Sequence, residues 1–299
     1  MKCSRCKEKA VISSPVLCKK HFVGYFEKKI FDTIKKYNLI NKSDKVVVAC
    51  SGGKDSTNVL YLVKKFLGPK GKVTALLIDE GISGYRDKTV SDLKHFCAKH
   101  SISLKMVSFK KEFGSSLDEI IRSKKINAKP CTICGTLRRY LLNKYAKGFG
   151  VIVTGHNLDD ESHAVLMNLL RQQLDVLARM GPVTGVSSHK GFVKRVKPLY
   201  FCSEKESMLY ALLRGFDVSF NECPYVVESY RAEVRDILNG YESSHKGTKL
   251  NIIKSFLKLL PALKEEFKDL APNACNVCGE PCAGNMCKTC NIVSVLNSE

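Results

Sequence analysis

Three groups of residues have types and spacings suited to chemistry. The first is Ser51-Gly52-Gly53-Lys54-Asp55-Ser56. Adjacent glycines let the backbone turn tightly and approach a ligand without a Cβ. The N–H groups of such a turn, opening a helix, attract an anion. Lys54 adds a cation, and Ser51 and Ser56 add hydroxyl donors. The plainer alternative is a glycine turn capped by Asp55 or Ser56. The string is not the G-x-x-x-x-G-K-[ST] loop of kinases and GTPases, which the sequence does not contain. The second group is two sets of paired ligands, Cys3-x2-Cys6 with Cys18-x2-His21, and Cys275-x2-Cys278 with Cys287-x2-Cys290. Two close pairs separated by a loop let four ligands converge on one zinc ion. Each piece is too small to bury a core, so metal would supply its folding energy. Cys282 is an extra thiol inside the second loop and can compete as a ligand. The third group is Cys131-Thr132-Ile133-Cys134, whose partner pair is missing. By spacing alone it is a redox dithiol, a surface pair or half of a cluster site.

The elements that must position these residues alternate between strand and helix. Lys45 to Ala49 is a β-branched run that fits a buried parallel strand. A helix from Asp55 to Phe66 and a strand from Val73 to Ile78 follow it. Next come a helix near Arg86 to His100, a strand near Leu104 to Phe109, a helix from near Gly135, a strand from Val151 to Thr154 and a helix from Asp160 to Arg171. The rhythm predicts an α/β fold, a parallel sheet with helices on both faces. Ligands in such sheets bind beyond the carboxyl ends of the strands, where the glycine turn falls. Phe22 to Tyr37 has helical spacing and joins the first metal module to the main domain. Beyond Lys197 the pattern is mostly helical, broken at Asn221-Glu222-Cys223-Pro224-Tyr225. The expected organisation is a zinc module over 1–24, a linking helix over 25–44, a catalytic domain over 45–200, a helical extension carrying Cys223 over 201–270, and a zinc ribbon over 271–299.

Composition narrows the partners. Lys and Arg total 49 against 29 Asp and Glu, a net charge of +20. A lysine-rich solvated surface would produce this, but so would a protein that binds a polyanion and releases its counterions. No run of about 18 apolar residues is present, which argues against a membrane span. The start, Met1-Lys2-Cys3-Ser4-Arg5-Cys6, lacks an apolar signal core. With 14 cysteines in the chain, this reads as a cytoplasmic protein whose thiols bind metal or do chemistry. Cys50, Cys97 and Cys202 read as structural.

Ser51 to Ser56 resembles the S-G-G-x-D-S signature of the PP-loop family. The resemblance implies an adenine-nucleotide α-hydrolase fold, a loop that holds the pyrophosphate of ATP, and transfer of AMP to an oxygen. It implies that Ala49 and Ser51 to Ser56 line the nucleotide and that Ile78 offers its backbone to adenine. Asp79-Glu80-Gly81 reads as a plain turn. Thr154-Gly155-His156-Asn157-Leu158-Asp159-Asp160 resembles the family's second motif. Through it Gly155 meets the nucleotide and Asp160 holds Mg2+ or orients the reacting groups, although Asp159 and Asp160 also suit a helix start. His156 and His163 read as polar or packing contacts. Pro130 to Arg139 is similar to the C-x-x-C segment of the TtcA/TtuA tRNA thiolases, and Cys223-Pro224 matches their third cysteine. That subgroup has zinc modules at both ends and makes 2-thiouridine. The resemblance implies a [4Fe-4S] cluster held by Cys131, Cys134 and Cys223, with one iron open to sulfide. Arg138, one turn beyond Cys134, would reach the nucleotide phosphates.

The expectation is therefore an ATP-dependent tRNA uridine 2-sulfurtransferase with Mg2+, a [4Fe-4S] cluster and two Zn2+. It would act on tRNA as a homodimer, with a thiocarboxylated ubiquitin-like protein or free sulfide as sulfur donor. Two other readings use the same residues. One is a cluster-free thiolase in which Cys131, Cys134 and Cys223 carry persulfide and disulfide. The other is a nonenzymatic, zinc-stabilised RNA-binding protein.

Overall fold

The computed structural model describes residues 1–186, 191–218, 223–226, 230–269 and 272–298. Asn221 and Glu222 lie outside the described residues, as does the expected boundary at 270/271.

The chain opens with a two-stranded hairpin, β1 (Ile12–Ser13) and β2 (Val16–Leu17), followed by α1 (Lys19–Lys36). The α/β core then runs β3 (Lys45–Cys50), α2 (Lys54–Leu67), β4 (Lys72–Asp79), α3 (Arg86–Lys99), β5 (Ser103–Ser108), α4 (Phe109–Phe113), α5 (Leu117–Arg122), α6 (Pro130–Ala146) and β6 (Val151–Val153). It continues through α7 (Leu158–Leu170), α8 (Leu174–Ala178), β7 (Val183–Thr184), β8 (Lys194–Val196) and α9 (Glu204–Arg214). A 3-10 turn at Pro224–Val226, α10 (Tyr230–Ser244) and α11 (Thr248–Glu266) precede a terminal hairpin, β9 (Asn273–Ala274) and β10 (Pro281–Cys282), and α12 (Lys288–Asn297).

Six strands form the main sheet in the order β5-β4-β3-β6-β8-β7. All neighbours are parallel except β7, which runs antiparallel to β8 at the edge. Strands alternate their side chains between the two faces, and here both faces are covered. Val46, Val48 and Cys50 of β3 join one apolar layer with α1, α2, α3 and α9, while Val47 joins another with α5 and α6. That double burial is why β3 reads as an unbroken β-branched run. The chain order reverses between β3 and β6, which opens a crevice at their carboxyl ends.

The boundaries differ from the sequence reading where capping chemistry intervenes. β5 ends at Ser108, whose hydroxyl accepts from the Lys111 N–H and caps α4, so Phe109 begins a helix rather than ending a strand. α6 begins at Pro130, not Gly135, because proline suits the first helical position. α7 begins at Leu158 under an Asn157 cap. The strand β8 was missed, being only three residues long. The helices of 201–270 pack directly on the core, α9 against α1 and α2, and α10 and α11 against α7. Among the described residues no helix is long and apolar enough to cross a membrane.

Candidate nucleotide and cysteine site

The glycine turn sits at the crevice. Gly52 has φ +83, and a Cβ there would lie 2.5 Å from the Thr89 carbonyl oxygen. The Ser51 N–H donates to Ser56 Oγ (3.2 Å), Ser56 Oγ donates to the Gly53 carbonyl (3.0 Å), and the Gly53 N–H donates to Ser51 Oγ (3.3 Å). Gly53 caps α2 without a side chain, so the first N–H groups of α2 face the crevice unblocked. Gly155 closes the other wall: a Cβ there would lie 2.9 Å from the Ser56 backbone nitrogen. Gly52→Ala is expected to weaken ATP binding at least tenfold, because the added Cβ would collide with the Thr89 backbone and side chain and push the turn out of place. Gly84→Ala is the control. Its φ is +72 but nothing lies within 4 Å, so calorimetric ATP titration should leave it near wild type.

A cavity of about 310 Å³ lies under this turn, within the range of small-ligand sites. Of the residues the resemblance assigned to the nucleotide, Ala49, Ser51, Asp55, Ser56, Ile78, Arg138 and Gly155 line it. Gly52, Gly53, Lys54 and Asp160 are not among its lining residues. Lys54 turns instead to Asp55 (3.1 Å) and to Glu204 at the start of α9 (2.9 Å). α9 is stitched beside α2 by Asn58, whose side chain donates to the Ser207 carbonyl (2.8 Å) and hydroxyl (2.9 Å). Burial raises the Asp55 carboxyl above its ordinary range, against the pull of Lys54. The Ile78 carbonyl already accepts from Arg86 Nη2 (3.1 Å).

Asp160 completes the α7 cap. Its N–H donates to Asn157 Oδ1 (3.0 Å), and its carboxylate accepts from the Asn157 N–H (3.2 Å). One carboxylate oxygen also faces Arg231 at 3.5 Å. Asp159 accepts from the Glu204 N–H (2.7 Å) and pairs with Lys249 of α11. His156 lies 3.0 Å from Thr154 Oγ1 at the cavity, and His163 is buried in α7.

Residues the sequence reading passed over complete the site. Glu80, read as part of a turn, is 1% exposed and pairs with Arg86 and, at 3.5 Å, with Arg138. Arg86 also donates to the Ser51 carbonyl (2.7 Å), tying the phosphate turn to the end of β4. Arg139 and Arg195 line the cavity as well. Nothing local marks them, because each gains its role from a strand or helix far away in the chain.

The cysteine pair adjoins this cluster. Cys131 and Cys134 occupy the first turns of α6, so they lie inside the helix rather than before it. The 3-10 turn that directly follows Cys223 packs on α6, and Cys131 Sγ donates to the Tyr225 carbonyl (3.2 Å). Cys134 and Cys223 pack with Tyr85 and Tyr225 at the edge of the same apolar layer. Burial pushes the Cys134 thiol up to about 11, with Arg138 pulling the other way. Cys50 and Cys202 are buried, and burial raises both thiols. Cys97 is buried beside Cys50 and likewise raised, to about 11, by burial.

Each terminal set converges. The ligand atoms of Cys3, Cys6, Cys18 and His21 lie within 4.8 Å of one another, as do those of Cys275, Cys278, Cys287 and Cys290. Cys6 and Cys18 sulfurs are 3.6 Å apart, and Cys278 and Cys287 sulfurs 3.7 Å. Thiolates about 2.3 Å from a tetrahedral ion would stand about 3.8 Å apart, so the spacing fits one zinc. Cys18 and Cys287 each cap a helix, and His21 and Cys290 follow in its first turn. The Cys287 N–H donates to Cys275 Sγ (3.2 Å) and is the largest cause drawing that thiol down to about 6. Cys282 stays outside the set and donates to the Gly284 carbonyl.

Comparison with known proteins agrees with this geometry. A family model described as a PP-loop domain matches residues 25–236. The chain is 37% identical over 296 residues to the tRNA-5-methyluridine(54) 2-sulfurtransferase of Pyrococcus horikoshii, covering 97% of this chain and 93% of the relative. It is 32% identical to the tRNA 2-thiolation protein NcsA of Haloferax volcanii, with both chains fully covered. Among solved structures, the U34-tRNA thiolase NcsA of Methanococcus maripaludis with its [4Fe-4S] cluster superposes with a TM-score of 0.84 at 31% identity, covering 100% of this chain and 97% of that one. The phosphate turn, the zinc-type sets and these full-length matches together show that the chain belongs to the PP-loop family, among the tRNA 2-thiolation proteins.

Proposed function

We propose that the protein is an ATP-dependent tRNA uridine 2-sulfurtransferase. The single observation that carries this is the junction of the phosphate turn with Cys131, Cys134 and Cys223 through Arg138, Glu80 and Arg86. In this reading the N–H groups of residues 51–56 hold the ATP phosphates. The uridine O2 attacks the α-phosphate and pyrophosphate leaves. Sulfide then attacks C2, and AMP departs with the old oxygen. Arg138, half exposed between the cavity and Cys134, holds phosphate oxygens on one side. In this reading Gly155 meets the nucleotide, and Asp160, outside the cavity lining in the α7 cap, is the carboxylate that would hold Mg2+ or orient the reacting groups.

Cys131, Cys134 and Cys223 are the residues that would hold a [4Fe-4S] cluster. Three thiols, two on α6 and one just before the 3-10 turn, partly open to solvent, suit a group that needs one thiolate on each of three irons. Such a cluster, when bound, would supply an iron free to bind sulfide. The named cluster of the Methanococcus maripaludis structure supports this assignment. The terminal sets would each hold Zn2+, and the modules 1–24, 25–44, 45–200, 201–270 and 271–299 remain the working division. The net charge of +20 supports contact with the tRNA backbone. The sulfur donor in this scheme is a thiocarboxylated ubiquitin-like protein or free sulfide, and the working form is a cytoplasmic homodimer.

The test is anaerobic incubation of the iron-loaded protein with tRNA, ATP and sulfide. Expected products are pyrophosphate, AMP and 2-thiouridine, read by nucleoside mass spectrometry. Fragments spanning positions 34 and 54, the sites in the names of the two relatives, identify the target uridine. Pyrophosphate release without any thiolated nucleoside would overturn the sulfurtransferase assignment.

A further inference from the structure

We propose that Arg139 and Arg195 form a second anion-binding pole in the nucleotide cavity and balance the charge of the ATP phosphates, a part the sequence assigned to Lys54. The inference rests on the nucleotide reading of the cavity. Arg195 enters from β8, where it is in register with Ile152 of β6, so its side chain lies on the face covered by α6. Its Nε is buried and has no hydrogen-bond partner. Arg139 folds back along α6 over Gly135, and a Cβ at Gly135 would come 3.3 Å from its Nη1. Both line the same cavity, and neither has a carboxylate partner among the described residues.

The other cations near the turn are already engaged. Lys54 pairs with Asp55 and Glu204, Arg86 with Glu80, and Arg138 in part with Glu80. Four arginines and one aspartate line the cavity, and that aspartate, Asp55, is held by Lys54 and by the Ser207 hydroxyl. Arg195 is half-buried with its Nε sealed from solvent and without an acceptor, which is costly, and a second guanidinium beside it adds repulsion. Burial and the neighbouring Arg139 both push Arg195 below its ordinary range. An entering phosphate removes both penalties, and the planar guanidinium fork matches two phosphate oxygens. The arrangement is thus preorganised for a polyanion rather than for a neutral base.

The experiment is calorimetric titration of the full chain with ATP, AMP and adenosine. Arg139→Gln and Arg195→Gln are each expected to weaken ATP at least tenfold, AMP less, and adenosine less than twofold. ATP affinity within twofold of wild type in both variants would overturn the proposal. So would equal losses for ATP and adenosine, which would put the pair on the base. Thermal melts accompany the titrations; if Arg195→Gln unfolds, Arg139→Gln, at the exposed rim, decides the matter. A wild-type chain that binds no ATP would strike the nucleotide reading itself, which is a different failure.

Discussion

Alanine at Cys131, Cys134 or Cys223 is expected to abolish 2-thiouridine formation, by more than about a hundredfold, while ATP binding stays within about twofold of wild type. Altering the groups around a metal ligand already costs about 10–100-fold, and removing a thiolate costs more. The nucleotide affinity survives because the cavity lining includes none of the three sulfurs. Iron, expected at about four per chain in the wild type as a [4Fe-4S] cluster, should fall toward zero in each variant. Zinc should remain, since the terminal ligand sets are separate. Cys282→Ala is the control, its thiol lying outside both sets and donating to the Gly284 carbonyl. Cluster-dependent thiolation at normal rate by Cys131→Ala would remove these residues from sulfur delivery. Normal thiolation by an iron-free wild type, with persulfide on these cysteines, would move the chemistry to the cluster-free reading.

Loss of the C-terminal metal should disable the protein from a distance. Structural zinc contributes an apparent folding free energy of about 10–16 kcal/mol in small modules, so Cys278→Ala should unfold residues 272–298. The consequence reaches α6. Glu280, 6% exposed, receives hydrogen bonds from Asn143 of that helix and from Lys147 at its C-terminal end, and Ile292 and Leu296 of α12 pack in its apolar layer. Lys125, just before α6, donates to the Ser298 carbonyl. The module therefore braces the helix that carries Cys131, Cys134 and Arg138. Amide exchange should rise across α6 as well as across 272–298, one zinc of two should be lost, and thiolation should fall at least tenfold. Faster exchange confined to 272–298, with full activity, would show that the bracing is dispensable. Cys6→Ala should loosen α1 instead, where Phe22, Phe26 and Ile30 are fully buried.

Local pattern explains much of what could be read in advance. β3, α2, β4 and α3 were legible because their apolar residues recur with the period of a buried strand or a helix. The metal sets were legible because spacing along the chain is itself the geometric condition for convergence. The start of α6 lies five residues before the expected Gly135. Pro130 at the first helical position was the available signal, and it puts both cysteines on the helix itself.

By itself, the sequence determined the α/β order, the glycine turn after β3, the two four-ligand sets and the Cys131–Cys134 pair. These depend on residue type and short separations, which the backbone converts directly into local geometry. Only the tertiary structure decided which charges face the cavity. Lys54 is drawn away by Glu204, 150 residues later, while Arg86, Arg139 and Arg195 arrive from α3, α6 and β8. Only it made Glu80 a buried counter-ion between the phosphate turn and the cysteine helix, and brought Cys223 to Cys131 through Tyr225. The reason is physical. An ion pair or a shared ligand depends on distance in space, and the crevice at the strand reversal joins segments that local periodicity leaves independent.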